Sequence, residues 1–376
     1  IIPIAIGVLL SLVTTLATAR FRYANIIVTV IYTLFLVGFS LLSILTRNSS
    51  ASSLAQSFGA IGRIFKWLNP TFILFEMALT TNPLIAIAFA GINVLVLAGT
   101  ILFLALCFDR LHDIVSSASL KPHKADVTMA NKNETRTLLS LEFKRLMGSK
   151  MYFANAIMGA IMAIVGSSIF LFTMKRAFDS SSAEVQAAMN LLIIPIFIVI
   201  SSWILGMSSP SVSAISIEGK HFWLIKSLPI DYRKYMRVKL LFPLILYVPA
   251  SLIASTIAVI FCHESVLDIV MAYLIPLSYV VLTTFMGLII NLRHYKLKWS
   301  NETEAVKNSI AVLIALLIDV GIIIVFGTPV IVVTVLTGKA LYTYIPVLAA
   351  AVVTDIILYL WLRKNFARKI EGIEDF

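Results

Sequence analysis

The chain has 376 residues, 60% of them hydrophobic and 13% charged, with a formal net charge of +11 at pH 7 and a mean hydropathy of +0.97. A soluble globular domain carries roughly a quarter charged residues, so the polar coat of a water-soluble enzyme is missing. The positive charge is gathered in the gaps between apolar runs rather than along one stripe or helix face, which excludes nucleic acid as the expected partner.

Apolar runs of about 18 residues or more, each long enough to cross a hydrocarbon core of about 30 Å, recur from end to end. The expected fold class is therefore all-α, a polytopic transmembrane helix bundle with about nine spans: 1–19, 24–45, 84–107, 152–174, 189–207, 240–261, 269–292, 310–327 and 341–362. Ile1 already sits inside an apolar run without a basic leader, and reads as the tail of an earlier membrane portion. Residues 47–82 start serine-rich, and Asn69-Pro70 and Asn82-Pro83 then bracket an apolar piece, 71–81, too short to cross. Residues 108–151 form the longest polar stretch. It opens as a linker and closes as an amphipathic helix, with Leu139, Phe143, Leu146 and Met147 on one face and Glu142, Lys144 and Arg145 between them. Gly327-Thr328-Pro329 predicts a break in the eighth span, because proline removes a backbone donor. The alternative is one long tilted helix over 310–336.

Orientation follows from the basic residues. With 20–23 placed inside and strict alternation, 24 of the 30 Lys and Arg fall on the inner side. The outer side keeps Arg47, Arg63, Lys66, Lys175, Arg176 and Lys339. The inner segments are then 20–23, 108–151, 208–239, 293–309 and 363–376.

Catalytic signals are poor. Gly219-Lys220 and Gly338-Lys339 lack the earlier glycine and the following Ser or Thr of a P-loop. His263-Glu264 has Leu267 where a second zinc-binding histidine would stand, and the five histidines are scattered, so no metal site is expected. Cys107 and Cys262 fall on opposite faces and should not pair. The spans hold two clear acids, Asp319 and Asp355. Asp319 lies about 13 Å into its span at 1.5 Å per residue. Such a carboxyl is either a proton relay or a group facing a wet seam or bonded to a neighbouring helix.

The segment Ser216–Lys239 is the most informative. Ile217, His221, Leu224 and Leu228 fall on one face of a short helix, and Phe222 and Trp223 add aromatic mass that is expensive to leave in water. Pro229 should end that helix, and Asp231 should cap a second, basic helix leading into the span at 240. Such a helix serves either as a plug for a partner's socket or as a helix folded onto the membrane surface, which Lys220 and Lys226 would also suit.

Glu218-Gly219 through Leu228-Pro229, the polar turn and the basic helix after it resemble the coupling-helix region of type-2 ABC exporter permeases. The amphipathic helix at 138–150, the six-span plan and the apolar piece before the last span resemble the same class. Trp299-Ser-Asn-Glu302-Thr-Glu304-Ala-Val-Lys307 is similar to a signature of a bacterial subgroup with long, fused permease chains, which includes proteins resembling exporters of amphipathic peptides such as phenol-soluble modulins. The resemblance covers 138–376 well and 1–107 only in topology. It implies two six-span halves with three spans missing before Ile1: 1–107 closing the first half, 108–151 a cytosolic linker with its amphipathic helix, and 152–376 the second half with its coupling helix at 216–229. It also implies a separate ATPase dimer holding ATP and magnesium, no cofactor in this chain, a bacterial cytoplasmic membrane and an amphipathic or hydrophobic peptide cargo. Glu218, Gly219, Phe222, Trp223, Leu224, Leu228 and Pro229 would then meet the ATPase, with Lys220 and Lys226 on the rim. Trp299, Glu302 and Lys307 would form a second inner loop. The competing readings are a proton-coupled secondary transporter using Asp319 and Asp355, an exporter of a lipid or hydrophobic antibiotic, and a membrane-embedded enzyme or scaffold subunit.

Overall fold

A computed structural model describes residues 5–9, 11, 77, 84–119, 134–179, 182–261 and 265–373. These residues form helices, with no strand among them. Seven helical stretches are long and apolar enough to cross a membrane: Ile85–Asp109, Lys150–Leu171, Asn190–Ser227, Tyr232–Ile260, Val266–Arg293, Glu302–Thr337 and Leu341–Glu371. They account for the expected spans from 84 onward. The spans expected at 1–19 and 24–45 and the piece at 71–81 lie outside the described residues, apart from 5–9, 11 and 77. So does 120–133 of the linker.

The chain divides into two compact units, Ile1–Met129 and Ala130–Phe376. The first contains α1 (Ile85–Ser119). The second contains α2 (Glu134–Gly148), α3 (Lys150–Asp179), α4 (Ala183–Met207), two 3-10 turns, α5 (Phe222–Ser227), α6 (Tyr232–Phe261), α7 (Val266–Arg293), α8 (Glu302–Val306), α9 (Ile310–Ile322), a π-helical segment (Ile323–Gly327), α10 (Thr328–Thr337) and α11 (Leu341–Glu371).

Local chemistry sets many of the boundaries. Ser265, Asn301 and Ser309 accept backbone N–H groups at the starts of α7, α8 and α9, and so satisfy donors that the first turn leaves open. Asp231 does the same before α6, where its Oδ1 accepts from the Arg233 N–H at 2.9 Å, as the sequence leads one to expect. Gly338 closes α10 in the left-handed region (φ 64). Its pairing with Lys339 is thus a helix stop.

The expected break at Gly327-Thr328-Pro329 does not form. Residues 310–337 stay helical throughout, and the Thr328 N–H reaches back five residues to the Ile323 carbonyl. A single π turn thereby carries the chain past Pro329, whose ring would otherwise clash in an unbroken α ladder.

α7 is the centre of the second unit, packing against α4, α6, α9 and α11. Two of its buried clusters are larger than the rest. One cluster joins Ile215, Phe222, Ile225, Tyr235, Leu288, Leu292, Leu362 and Phe366. The other joins Leu171, Phe197, Ile198, Ala258, Met271, Ile275, Val330 and Tyr344. The first lies where the 208–231 connection, the 294–309 connection and the C-terminal end of α11 meet, and it positions the site described next.

Candidate docking site and its supporting charge cluster

The connection from α4 to α6 contains two short pieces set at an angle to one another. A 3-10 turn, Ser216–His221, meets α5 at Gly219, whose backbone is non-helical (φ 53, ψ −138). Only glycine adopts that conformation without strain. A Cβ at this position would also fall 2.7 Å from the Trp299 ring. Leu228 is extended (ψ 143), as the residue before a proline prefers, and it ends α5.

This geometry changes the phase expected from the sequence. Ile217, His221, Leu224 and Leu228 do not share a buried or an exposed face. Ile217, Phe222 and Ile225 are buried, whereas His221, Leu224 and Leu228 are exposed. The reason is the kink at Gly219, which rotates α5 relative to the preceding turn. Phe222, expected to project toward a partner, is 2% exposed and packs in the core with Ile225, Leu138 and Tyr235. Trp223 is 57% exposed, Leu224 45% and Leu228 43%. With Lys220, His221 and Pro229 they form an open apolar ridge with basic flanks. Lys226, expected on the rim, instead donates to the Ile373 carbonyl and ties α5 to the chain's last described residue.

Glu218 is not part of that surface. It is 3% exposed and is the centre of a buried ionic cluster. Its Oε1 lies 2.6 Å from Lys239 Nζ and 3.2 Å from Arg145 Nη1, and accepts from the Tyr235 hydroxyl. Lys239 also sits 3.0 Å from Glu142 Oε1 and donates to the Ala214 carbonyl at 2.6 Å. Its three N–H donors therefore have three acceptors. Arg145 pairs in turn with Glu142 at 2.5 Å. Burial alone would lower the Arg145 pKa, but the carboxylates of Glu218 and Glu142 outweigh it and hold the guanidinium more firmly charged than usual.

Two acids and two bases thus balance inside the protein, and they bind α2, the 216–221 turn and α6 together. The amphipathic helix is correspondingly turned from its expected phase. Leu138, Glu142 and Leu146 face inward, while Met147 is exposed. Glu142 can face inward because two cations meet it there.

A second set of bonds fixes the turn from the other side. Asn291 on α7 accepts the Ile215 and Ser216 N–H groups at 2.7 and 3.1 Å and donates to Ser216 Oγ at 2.8 Å. Trp299 Nε1 donates to the Ser216 carbonyl at 2.8 Å. The second expected loop is therefore joined to the first, with Trp299 as its contact. Glu302 accepts from Ser149 Oγ at 2.7 Å, which links α8 to the start of α3. Lys307 is exposed at the end of α8.

No protein family, curated protein or solved structure matches this chain.

The two intramembrane acids lie elsewhere. Asp319 on α9 is 2% exposed, accepts from the Tyr279 hydroxyl of α7, and approaches α4 so closely that a Cβ on Gly206 would lie 2.1 Å from its Oδ1. Its Oδ2 has no hydrogen-bond partner. Asp355 on α11 is 9% exposed, and its Oδ1 is likewise unpartnered. Among the described residues, no group of three or more His, Cys, Asp or Glu could hold a metal ion.

Sequence reasoning missed Glu142, Arg145, Tyr235, Lys239 and Asn291 as parts of one site. A signal existed for two of them. Glu142 sits four residues from both Leu138 and Leu146, and Lys239 is followed by Leu240, Leu241 and Phe242 at the start of an apolar run.

Proposed function

We propose that the chain is the membrane subunit of an ATP-driven exporter in the bacterial cytoplasmic membrane, and that the α5 ridge is where a separate ATPase subunit docks. The observation that supports this most is an exposed Trp223–Leu224–Leu228 ridge on a short helix between two spans, anchored by Phe222 and by buried Glu218. An aromatic side chain left in water on a rigid support suits a partner's pocket. The concentration of Lys and Arg in the same connections supports a cytoplasmic position for this ridge. The resemblance to type-2 ABC exporter permeases supplies the partner, whose closing on ATP would press on α5 and switch access between halves. The cargo suggested by the resemblance is an amphipathic or membrane-active peptide.

Trp223→Ala tests this reading. Central aromatic anchors cost about 2 kcal/mol or more on truncation, so the variant should lose the ATPase on copurification from its own membrane while keeping its own fold and yield. Unchanged copurification and export would sink the assignment of α5 as the docking helix.

A proton-coupled secondary transporter is the second reading, favoured by the unpartnered buried oxygens of Asp319 and Asp355. Export driven by a proton gradient, without ATP, in vesicles holding only this chain would select it.

A further inference from the structure

A groove runs along α7, with α9 and its π-helical continuation on one side and α11 on the other, and α10 closes one end by packing against α11. Within it lies a slot of about 160 Å³, lined by residues of 275–286 on α7 and of 347–358 on α11. At 1.5 Å per residue the slot is about 16 Å long, so its volume is spread thinly. Its walls are carbon, because the hydroxyls of Ser278 and Thr354 bond back to the Ile275 and Ala350 carbonyls. Thr354 is exposed and Phe326, Ala351 and Leu358 are half-buried, so one side of the slot is open. A narrow apolar slot about as long as one leaflet's share of a 30 Å hydrocarbon core suits a single extended alkyl chain.

Beyond the slot, the same faces of α7 and α11 carry polar groups. Arg293 comes about five full turns after Ile275, and so points the same way, about 10 Å past Met286. Trp361 comes about two turns after Thr354 on α11. The Arg293 guanidinium sits over the Trp361 ring, 5.2 Å from its centroid. Lys364 and Arg368, both exposed, follow Trp361 by about one and two turns on its side of α11. Among the described residues, none of these three cations meets a carboxylate within ion-pair distance. A guanidinium held on an aromatic ring at the edge of the bilayer, without a counter-ion, is suited to a phosphate. The distribution of Lys and Arg assigns this end of the helices to the inner leaflet, where basic pockets between spans meet acidic headgroups.

We infer that the groove binds one anionic phospholipid, its phosphate on Arg293 with Lys364 and Arg368 nearby, and one acyl chain laid in the slot. The spacing agrees, since about 10 Å between Arg293 and Met286 takes up the glycerol ester and the first methylenes. The inference does not rest on the exporter reading. It concerns the second unit alone and is tested with no ATPase present.

The test uses phosphatidylglycerol and phosphatidylcholine of matched chains, each with a diazirine on an acyl chain. They are titrated into nanodiscs of otherwise neutral lipid that hold the purified chain. Phosphatidylglycerol should label Met286 and Phe326, and phosphatidylcholine should label them much less. Arg293→Gln should raise the half-saturating mole fraction of phosphatidylglycerol roughly five-fold, as expected for one cation removed from an acidic surface. Arg363→Gln should leave it unchanged, because Arg363 is exposed close to Trp361 in depth but on about the opposite face of α11. Ala351→Phe, which fills the slot from α11, should abolish the labelling; the arginine contrast stands by itself if that variant fails to fold. Inorganic phosphate at constant ionic strength should not displace the lipid. The inference is overturned if the two lipids label alike, or if Arg293→Gln and Arg363→Gln weaken labelling equally. Displacement by phosphate would also overturn it, since Arg293 would then serve a free anion.

Discussion

Lys239 is the residue on which the buried cluster depends. It is 1% exposed, and its ammonium serves Glu142, Glu218 and a backbone carbonyl at once. Breaking a buried ion pair from one side leaves an uncompensated charge and costs about 3–5 kcal/mol. Lys239→Met should therefore lower thermal stability in detergent markedly. Adding Glu218→Gln to Lys239→Met should recover part of the loss, because one of the stranded carboxylates becomes neutral. A double variant no more stable than Lys239→Met would show that the two residues do not act as a pair. The cluster is also incompletely satisfied, since Oε2 of both Glu142 and Glu218 lacks a partner. Arg145, its side chain 25% exposed and paired with Oε1 of both carboxylates, limits the consequence by adding a second cation.

At the scale of elements, α5 has six residues and could not persist as a helix on its own, since isolated helices below about 12 residues are marginal in water. It is held by burial of Phe222 and Ile225 on one side and by the bonded 216–221 turn before it. Asn291 supplies three of that turn's hydrogen bonds. Asn291→Ala should leave two N–H groups buried without acceptors, at about 1–3 kcal/mol each. Limited proteolysis should then cut within 214–231 faster than in the wild-type chain, while the spans remain protected; unchanged cleavage there would mean that Asn291 does not hold the turn. Element ends were legible in the sequence where one residue decides them, as at Asp231 and Pro229. Element phase was not. The kink at Gly219 and the inward turn of Glu142 depend on Trp299 and Lys239, which lie about 80 and 100 residues further along the chain. Pro329 misled for a related reason. Its local chemistry argues for a break, but a π turn accommodates the ring within a continuous helix.

For the molecule as a whole, the hydropathy of the chain fixed the spans from 84 onward, because each apolar run is also a helix of crossing length. The buried ion cluster left no comparable pattern, since its members come from three separate segments and meet only through tertiary packing. The orientation rests on the distribution of Lys and Arg, and single cysteines can test it. Ser227→Cys and Ser300→Cys, both at exposed positions, should resist an impermeant thiol reagent in intact cells, while Lys339→Cys, also exposed, should react. Labelling of Ser227→Cys from outside would reverse the bundle and remove the ridge from the cytoplasm.

The way Phe222 and Glu218 are seated has a mechanical side. A load applied at Trp223 meets little give in α5, because Phe222 and Ile225 are wedged into the protein. The next compliant element is also some distance away: Glu218 is clamped to Lys239 and Tyr235, and both belong to the first turns of α6. The ridge and the first turns of that 30-residue helix therefore move as one piece as far as Pro243 and Pro249, where missing backbone donors allow the helix to bend. A displacement of the ridge is thereby passed to the foot of α6, and the two prolines set how much of it reaches Phe261.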